Sequence, residues 1–258
     1  MILASVERHS RIIGALMMRE VMTRFGRQGL GFAWLIGEPL LFCFGVMGLW
    51  AITHSPYQHG VKLAPFVMTA YMSLILTRHL IGYMSGALQA NIGLLYHRRI
   101  SPLHIFLSRI LMEFGGTTAA FFVVYVVLYA VGQVEIPYDF LLLYSGWALL
   151  CWLSAAFALT LAGTAMRFET FERFIGLISY LLIPLSGAFA MVSWLPPNLQ
   201  PYLLAIPFVH PIEMIRAAVF GEFVETHFNP PYAILWSAIF TILGLALVLS
   251  SRDRIETE

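Results

Sequence analysis

The residues that would do chemistry in this chain are few and badly spaced for it. Ser85 lies in Gly82-Tyr83-Met84-Ser85-Gly86 within an apolar run, and a serine between glycines is a starting point for intramembrane proteolysis. The spacing is Gly-x-x-Ser-Gly, one residue longer than the Gly-x-Ser-Gly such a nucleophile requires, and small residues in an apolar helix usually serve close packing. The histidines show no His-Glu-x-x-His or other paired metal-ligand spacing. His97 and His104 fall in one polar segment, and His210, beside Pro211, shapes a turn. The single lysine, Lys62, belongs to no Gly-x-x-x-x-Gly-Lys-[Ser/Thr] loop, so nucleotide hydrolysis by a P-loop is not expected here. Cys43 and Cys151 both sit in apolar runs and read as small buried hydrophobes. The expectation is a chain with no catalytic residue, metal ligand or cofactor of its own.

Charge in apolar surroundings is the remaining chemistry. Arg109 and Glu113 are four residues apart, which predicts a buried ion pair on one helical face. Arg78 stands in the middle of another apolar run, where a central arginine costs at least ~2.5 kcal/mol on insertion scales. It must face a partner or water, which leaves two readings open: a structural ion pair, or a cationic lining for an anionic substrate. Glu38-Pro39 is read as a helix-start and packing feature. Aromatics are abundant, at 14% of the chain. Phe42, Trp50, Tyr71, Tyr83, Tyr180 and Trp194 are candidates, with Arg78, for the lining or gate of a pathway. Sugar rings lie well on aromatic faces, but belt anchoring and packing are equally served by them.

These residues are positioned by apolar helices. The stretches Phe114–Val134, Phe140–Met166, Phe174–Ile212 and Phe228–Ser251 contain no Asp, Glu, Lys or Arg. About 20 apolar residues, rising ~1.5 Å each, cross a hydrocarbon core. With 258 residues, 59% hydrophobic and 11% charged, the chain is an all-α integral membrane protein with no room for a second soluble domain. Six spans are predicted, at about 34–53, 64–86, 105–131, 140–166, 174–194 and 230–250. They form a transmembrane domain over 34–250, between an N-terminal lead-in at 1–33 and a tail at 251–258. A net charge of +1 carries no signal for nucleic acid. Glu7, Arg8 and Arg11 arrive before any adequate apolar stretch, so the start does not read as a cleaved signal peptide.

Sorting the positive charges by loop orients the spans. Arg8, Arg11, Arg19, Arg24, Arg27, Arg98, Arg99, Arg167, Arg173, Arg252 and Arg254 fall on one side, against Lys62 and Arg216 on the other. The positive-inside rule therefore predicts both termini in the cytoplasm. Before the first span, Gly14, Met17, Met18, Val21, Met22 and Phe25 share one helical face, while Arg8, Arg11, Arg19, Glu20, Arg24 and Arg27 occupy much of the rest. This predicts an amphipathic interfacial helix, serving either as an anchor or as a cuff that touches a cytoplasmic partner. Prolines 196, 197, 201, 207 and 211 forbid one helix through 174–212. A short helix from Pro211 to Gly221 is predicted to dip back into the outer leaflet, where irregular backbone must line protein or a wet cavity.

The motifs together resemble a known family. Arg19-Glu20 through Arg24-Phe25-Gly26-Arg27 and on to Trp34 and Glu38-Pro39 is similar to the N-terminal signature of ABC-2 type permeases that export polysaccharides. Asn91-Ile-Gly-Leu94-Leu95-Tyr96-His97-Arg98-Arg99 resembles their ATPase-coupling loop. Trp194-Leu-Pro-Pro and Pro207-Phe-Val-His-Pro-Ile-Glu-Met-Ile-Arg216 resemble the outer re-entrant region of capsule exporters. The resemblance spans essentially the whole chain and is strongest to the inner-membrane permease of group 2 capsular polysaccharide exporters; O-antigen and teichoic-acid exporters share its first part. It implies a homodimer in a bacterial inner membrane joined to two separate ATPase subunits, which would bind the ATP and Mg. It also implies a lipid-linked, often acidic, polysaccharide handed to a periplasmic co-polymerase and an outer-membrane export channel. An ion-coupled secondary transporter is the alternative of another class. It needs a buried ion site and an internal repeat, and no repeat is evident.

Overall fold

The computed structural model describes residues 2–25, 31–95 and 100–250. In chain order these are α1 (Ile2–Phe25), α2 (Gly31–Thr53), a hairpin of β1 (Tyr57–Gln58) and β2 (Val61–Lys62), then α3 (Leu63–Met84) and the short α4 (Ile92–Leu95). There follow α5 (Pro102–Ala130), α6 (Phe140–Arg167), α7 (Glu169–Leu185), α8 (Gln200–Leu204), α9 (Val209–Phe220) and α10 (Pro230–Ser250). The hairpin pairs Tyr57 with Lys62 and Gln58 with Val61. Its two turn residues, His59 and Gly60, both have positive φ (49° and 84°), as a tight two-residue connection requires.

Helix limits follow from local chemistry. Pro102 opens α5 just after Ser101, whose side chain forms a reciprocal box with His104. Asp139 caps α6 by accepting from the Leu142 amide at 2.9 Å. Gly221, at φ 64°, stops α9.

Among the described residues, five helices are long and apolar enough to cross a membrane: α2 from Ala33, α3, α5, α6 and α10. Burial ranks them, with α3 (78%) and α6 (67%) central and α2 (17%) and α10 (22%) at the edge. The expected fifth span is where structure and sequence part. Helix α7 occupies Glu169–Leu185, 17 residues, instead of reaching 194. Pro184 lies in its last turn and Gly187 turns the chain at φ 75°, so residues 186–191 form a turn despite their apolar composition. The short helix expected from Pro211 begins two residues earlier. It is buried, with Ile212, Ile215 and Ala218 no more than 1% exposed, and it packs on α6 and α3 inside the bundle.

The tightest seam joins α6 and α10. A Cβ on Gly244 would stand 2.9 Å from the Thr160 amide nitrogen, and one on Gly163 would stand 2.8 Å from Leu247 Cβ. Close backbone approach through small residues is how helices associate where the solvent is lipid. Thr160 Oγ1 donates to the Phe240 carbonyl at 2.8 Å across this seam, and Trp152 Nε1 donates to Thr241 Oγ1 at 3.1 Å.

Candidate functional site

At the end of the bundle where α1 packs, side chains from α1, α2, α3 and α5 form one connected polar cluster. Arg109 Nη2 lies 3.0 Å from Glu20 Oε1, and Arg24 Nε lies 2.8 Å from the same oxygen. Arg24 Nη1 reaches Glu113 Oε1 at 2.5 Å, and its guanidinium stands 3.6 Å over the Tyr83 ring. His79 contacts two carboxylates, Nδ1 toward Glu113 at 3.2 Å and Nε2 toward Glu38 at 4.0 Å. Arg109 Nη1 also donates to the Tyr83 carbonyl. Glu113 is 1% exposed, and a carboxylate so deep persists only when charge and hydrogen bonds surround it. A second strand of bonds leaves α1 from Arg19, whose Nη1 donates to Asn91 Oδ1 at 2.7 Å. Asn91 Nδ2 in turn donates to the Ala87 carbonyl at 2.8 Å. Helix α1 is thereby tied both to the middle of the bundle and to the segment leading into α4.

The cluster borders a cavity of about 660 Å³ between α2, α3 and α7. Glu38, His79 and Tyr83 belong to both; Phe42, Arg78, Ser85, Glu172, Ser179 and Tyr180 complete the polar and aromatic part of its wall. Arg78 makes no ion pair among the described residues. Its guanidinium lies 5.1 Å over the ring of Tyr180, a contact worth ~0.5–1 kcal/mol when exposed. A half-buried cation with this partner alone stays available to an anion entering the cavity.

From Phe42 at the cavity wall, rings continue along α2 and α3 toward the hairpin. Phe42 meets Tyr71 at 6.0 Å between centroids, and Tyr71 meets Trp50 at 6.2 Å. Phe189, in the turn after α7, contacts both Trp50 (6.2 Å) and Tyr71 (5.9 Å). Trp50 then meets Phe66 (6.4 Å), Phe66 stacks on Trp194 (4.8 Å), and Trp194 stacks on His59 (4.5 Å). The result is a run of ring contacts in which Phe42, Trp50, Tyr71 and Phe189 keep exposed surface, with Phe66, 1% exposed, as the buried link to Trp194.

The structure thus brings Phe42, Trp50, Tyr71, Arg78, Tyr83, Tyr180 and Trp194 to one side of α2, α3 and α7. It does not pair Arg109 with Glu113. Each instead reaches across to α1, Arg109 to Glu20 and Glu113 to Arg24, because α1 packs against α5 and brings a partner of opposite charge to each. The same contacts define which side of α1 packs on the bundle. Leu16, Glu20, Val21 and Arg24 face the bundle, and of the expected apolar face Val21 is packed while Met18 (44%) and Met22 (52%) point away from it. Arg8 and Arg11 are exposed, with Arg11 paired to Glu7. Arg27 and, of the residues expected to form a coupling loop, Tyr96, His97, Arg98 and Arg99 lie outside the described residues. Asn91 and Leu94 are within them, and Leu95 ends α4.

Arg78 also loses the acidic partner that a structural reading would give it, since Glu113 is engaged by Arg24 and His79. Ser85 caps α3 at the cavity rim, and among the described residues no histidine hydrogen-bonds its hydroxyl. Sequence reasoning missed His79, Phe66, Phe189 and the buried pair Glu213–Arg216, whose nitrogen and oxygen are 3.1 Å apart. The signal for that pair was its i,i+3 spacing on a short apolar helix; counting Arg216 as a loop charge obscured it.

Compared with known proteins, residues 11–220 match the ABC-2 type transporter family. Over 248 residues the chain is 37% identical to the capsule polysaccharide export inner-membrane protein CtrC of Neisseria meningitidis serogroup B, covering 96% of this chain and 94% of that protein. It is 32% identical over the same shares to the capsule polysaccharide export inner-membrane protein BexB of Haemophilus influenzae. It is 24% identical to the polysialic acid transport protein KpsM of Escherichia coli, covering 95% of each.

Proposed function

Because the chain belongs to the ABC-2 type transporter family, we propose that it is the inner-membrane permease of an ATP-driven exporter of capsular polysaccharide. The observation that carries this is the wall running from the Arg78 cavity through Phe42, Tyr71, Trp50 and Phe189 to Trp194. Ring faces at Phe42, Tyr71, Trp50 and Phe189 suit the apolar faces of sugars passing in sequence. The cation at the inner end suits a lipid-linked, acidic glycan.

The wall is open on one side, and in this reading a second copy closes it into a channel. The chain performs no chemistry on its cargo. Energy enters from two ATPase subunits, which hold the ATP and Mg and act on α1 and on the 91–99 segment. The ties from Arg19, Glu20 and Arg24 then carry that movement to α3 and α5, and so to the cavity wall. Both termini lie in the cytoplasm, with Lys62, the hairpin and Trp194 on the outer side; a periplasmic co-polymerase and an outer-membrane channel receive the product.

The test is complementation of a capsule-producing strain lacking its own permease. Expression of this chain with its ATPase should restore surface polysaccharide, and the ATPase should copurify with it. Polysaccharide retained inside cells that hold the assembled complex would overturn the proposal.

A further inference from the structure

Arg216 has no exposed surface, and its guanidinium grips one short piece of backbone. Nη1 donates to the carbonyls of Gly187 (2.8 Å) and Ala190 (3.3 Å) as well as to Glu213 Oε1 (3.1 Å), and Nη2 donates to the Ala188 carbonyl at 2.6 Å. The Phe66 ring lies 4.8 Å beneath it. Glu213, 1% exposed, uses its other oxygen to accept from the His227 amide at 3.3 Å. Neutralising Arg216 requires only Glu213; the three carbonyls are a separate arrangement. All three belong to the turn after α7, and that turn carries Phe189, 38% exposed, onto Trp50 and Tyr71. One planar fork therefore decides where Phe189 stands. Lysine carries its three donors on one nitrogen, and cannot span the acceptors that Nη1 and Nη2 divide between them.

We propose that Arg216 is a positioning residue that latches the outer end of the export pathway, holding the 187–190 turn so that Phe189 closes on Trp50 and Tyr71 at rest. The inference rests on the permease reading above. Export requires this turn to move while α9 stays embedded. Losing the fork leaves the pathway ajar from outside.

The test uses the assembled permease–ATPase complex in spheroplasts, with Cys43→Ser, Phe42→Cys as reporter inside the constriction, and a membrane-impermeant maleimide added to the outer face. Buried Cys151 is retained as the measure of general loosening. With Arg216 present, Phe42→Cys should label slowly; Arg216→Lys should raise its rate at least tenfold while Cys151 stays unlabelled. An unchanged rate at Phe42→Cys, a parallel rise at Cys151, or fast labelling with Arg216 present would each overturn the latch. If Arg216→Lys does not accumulate, Gly187→Ala displaces the same turn with the guanidinium in place, since φ 75° disfavours a side chain and its Cβ would stand 3.4 Å from Val209. The same tenfold rise is expected, and no rise overturns the proposal. Surface polysaccharide from cells carrying the unmodified chain separates the two readings: normal export with no change in labelling sinks the latch alone.

Discussion

Arg24 and Glu113 are 89 residues apart in the chain and meet at 2.5 Å, joining a helix outside the predicted spans to the middle of the polar cluster. Removing one partner of such a pair leaves a charge buried without compensation, at ~3–5 kcal/mol. Arg24→Gln should lower the thermal midpoint of the detergent-extracted protein by several degrees. The double variant Arg24→Gln, Glu113→Gln should lose less than the sum of the two single changes. Additive losses would mean that the contact carries no coupling energy.

Arg78 gives a different expectation because it lacks an ion pair among the described residues. Arg78→Gln should leave yield, thermal midpoint and ATPase recovery near wild type while surface polysaccharide falls severalfold, and Arg78→Lys should retain most export. Full export by Arg78→Gln would remove the cation from the pathway. A collapse of yield would instead show that its stacking on Tyr180 is structural.

The α6–α10 seam tolerates no side chain at Gly244. Gly244→Ala should destabilise by ~1–3 kcal/mol, since the added carbon meets backbone and cannot be relieved by rotation. Gly45→Ala, with nothing within 4 Å of its new carbon, should be neutral or stabilising by up to ~1 kcal/mol. Equal thermal midpoints for the two variants would contradict the packing described.

Coupling can be tested from the 91–99 segment. Replacing Arg98 and Arg99 together should lower export and recovery of the ATPase without blocking membrane insertion. Asn91→Ala, which frees Arg19, should lower export with the ATPase still bound. Normal values for both would leave these residues as topology signals only.

Orientation is open to reporter fusions. Reporters at residue 258 and near residue 98 should read cytoplasmic, and those near 58 and 200 periplasmic. Reversal at two or more positions would overturn the assignment of sides.

What the sequence made legible was governed by composition and local rules. Spans α2, α3, α5, α6 and α10 follow from apolar length, and their limits agree with Pro102, Asp139 and Pro230 as starters. Of the candidates for a pathway lining, Tyr71 and Arg78 on α3 are seven apart and share a helical face; Phe42, Trp50 and Tyr83 do not follow that spacing and join the set through packing between helices. Long-range partner choice was illegible. Arg109 faces Glu20 and Glu113 faces Arg24 only once α1 has folded against α5, and no spacing within α5 encodes that. Residues 186–191 deceived for a related reason. Their side chains are apolar, but their carbonyls serve Arg216, and hydropathy does not record what a backbone oxygen binds.

Helix α7 has one further consequence. Glu169, Glu172 and Arg173 occupy its first turns, so its apolar run, 174–185, is 12 residues and rises ~18 Å, against a hydrocarbon layer of ~30 Å. For α7 to cross, the bilayer beside it and the apolar turn at 186–191 must together make up about 12 Å, at fractions of a kcal/mol per Å of bilayer mismatch. The thinnest lipid around the protein then lies against the helix that bears Tyr180, and lengthening the acyl chains of the membrane would load that helix before any other.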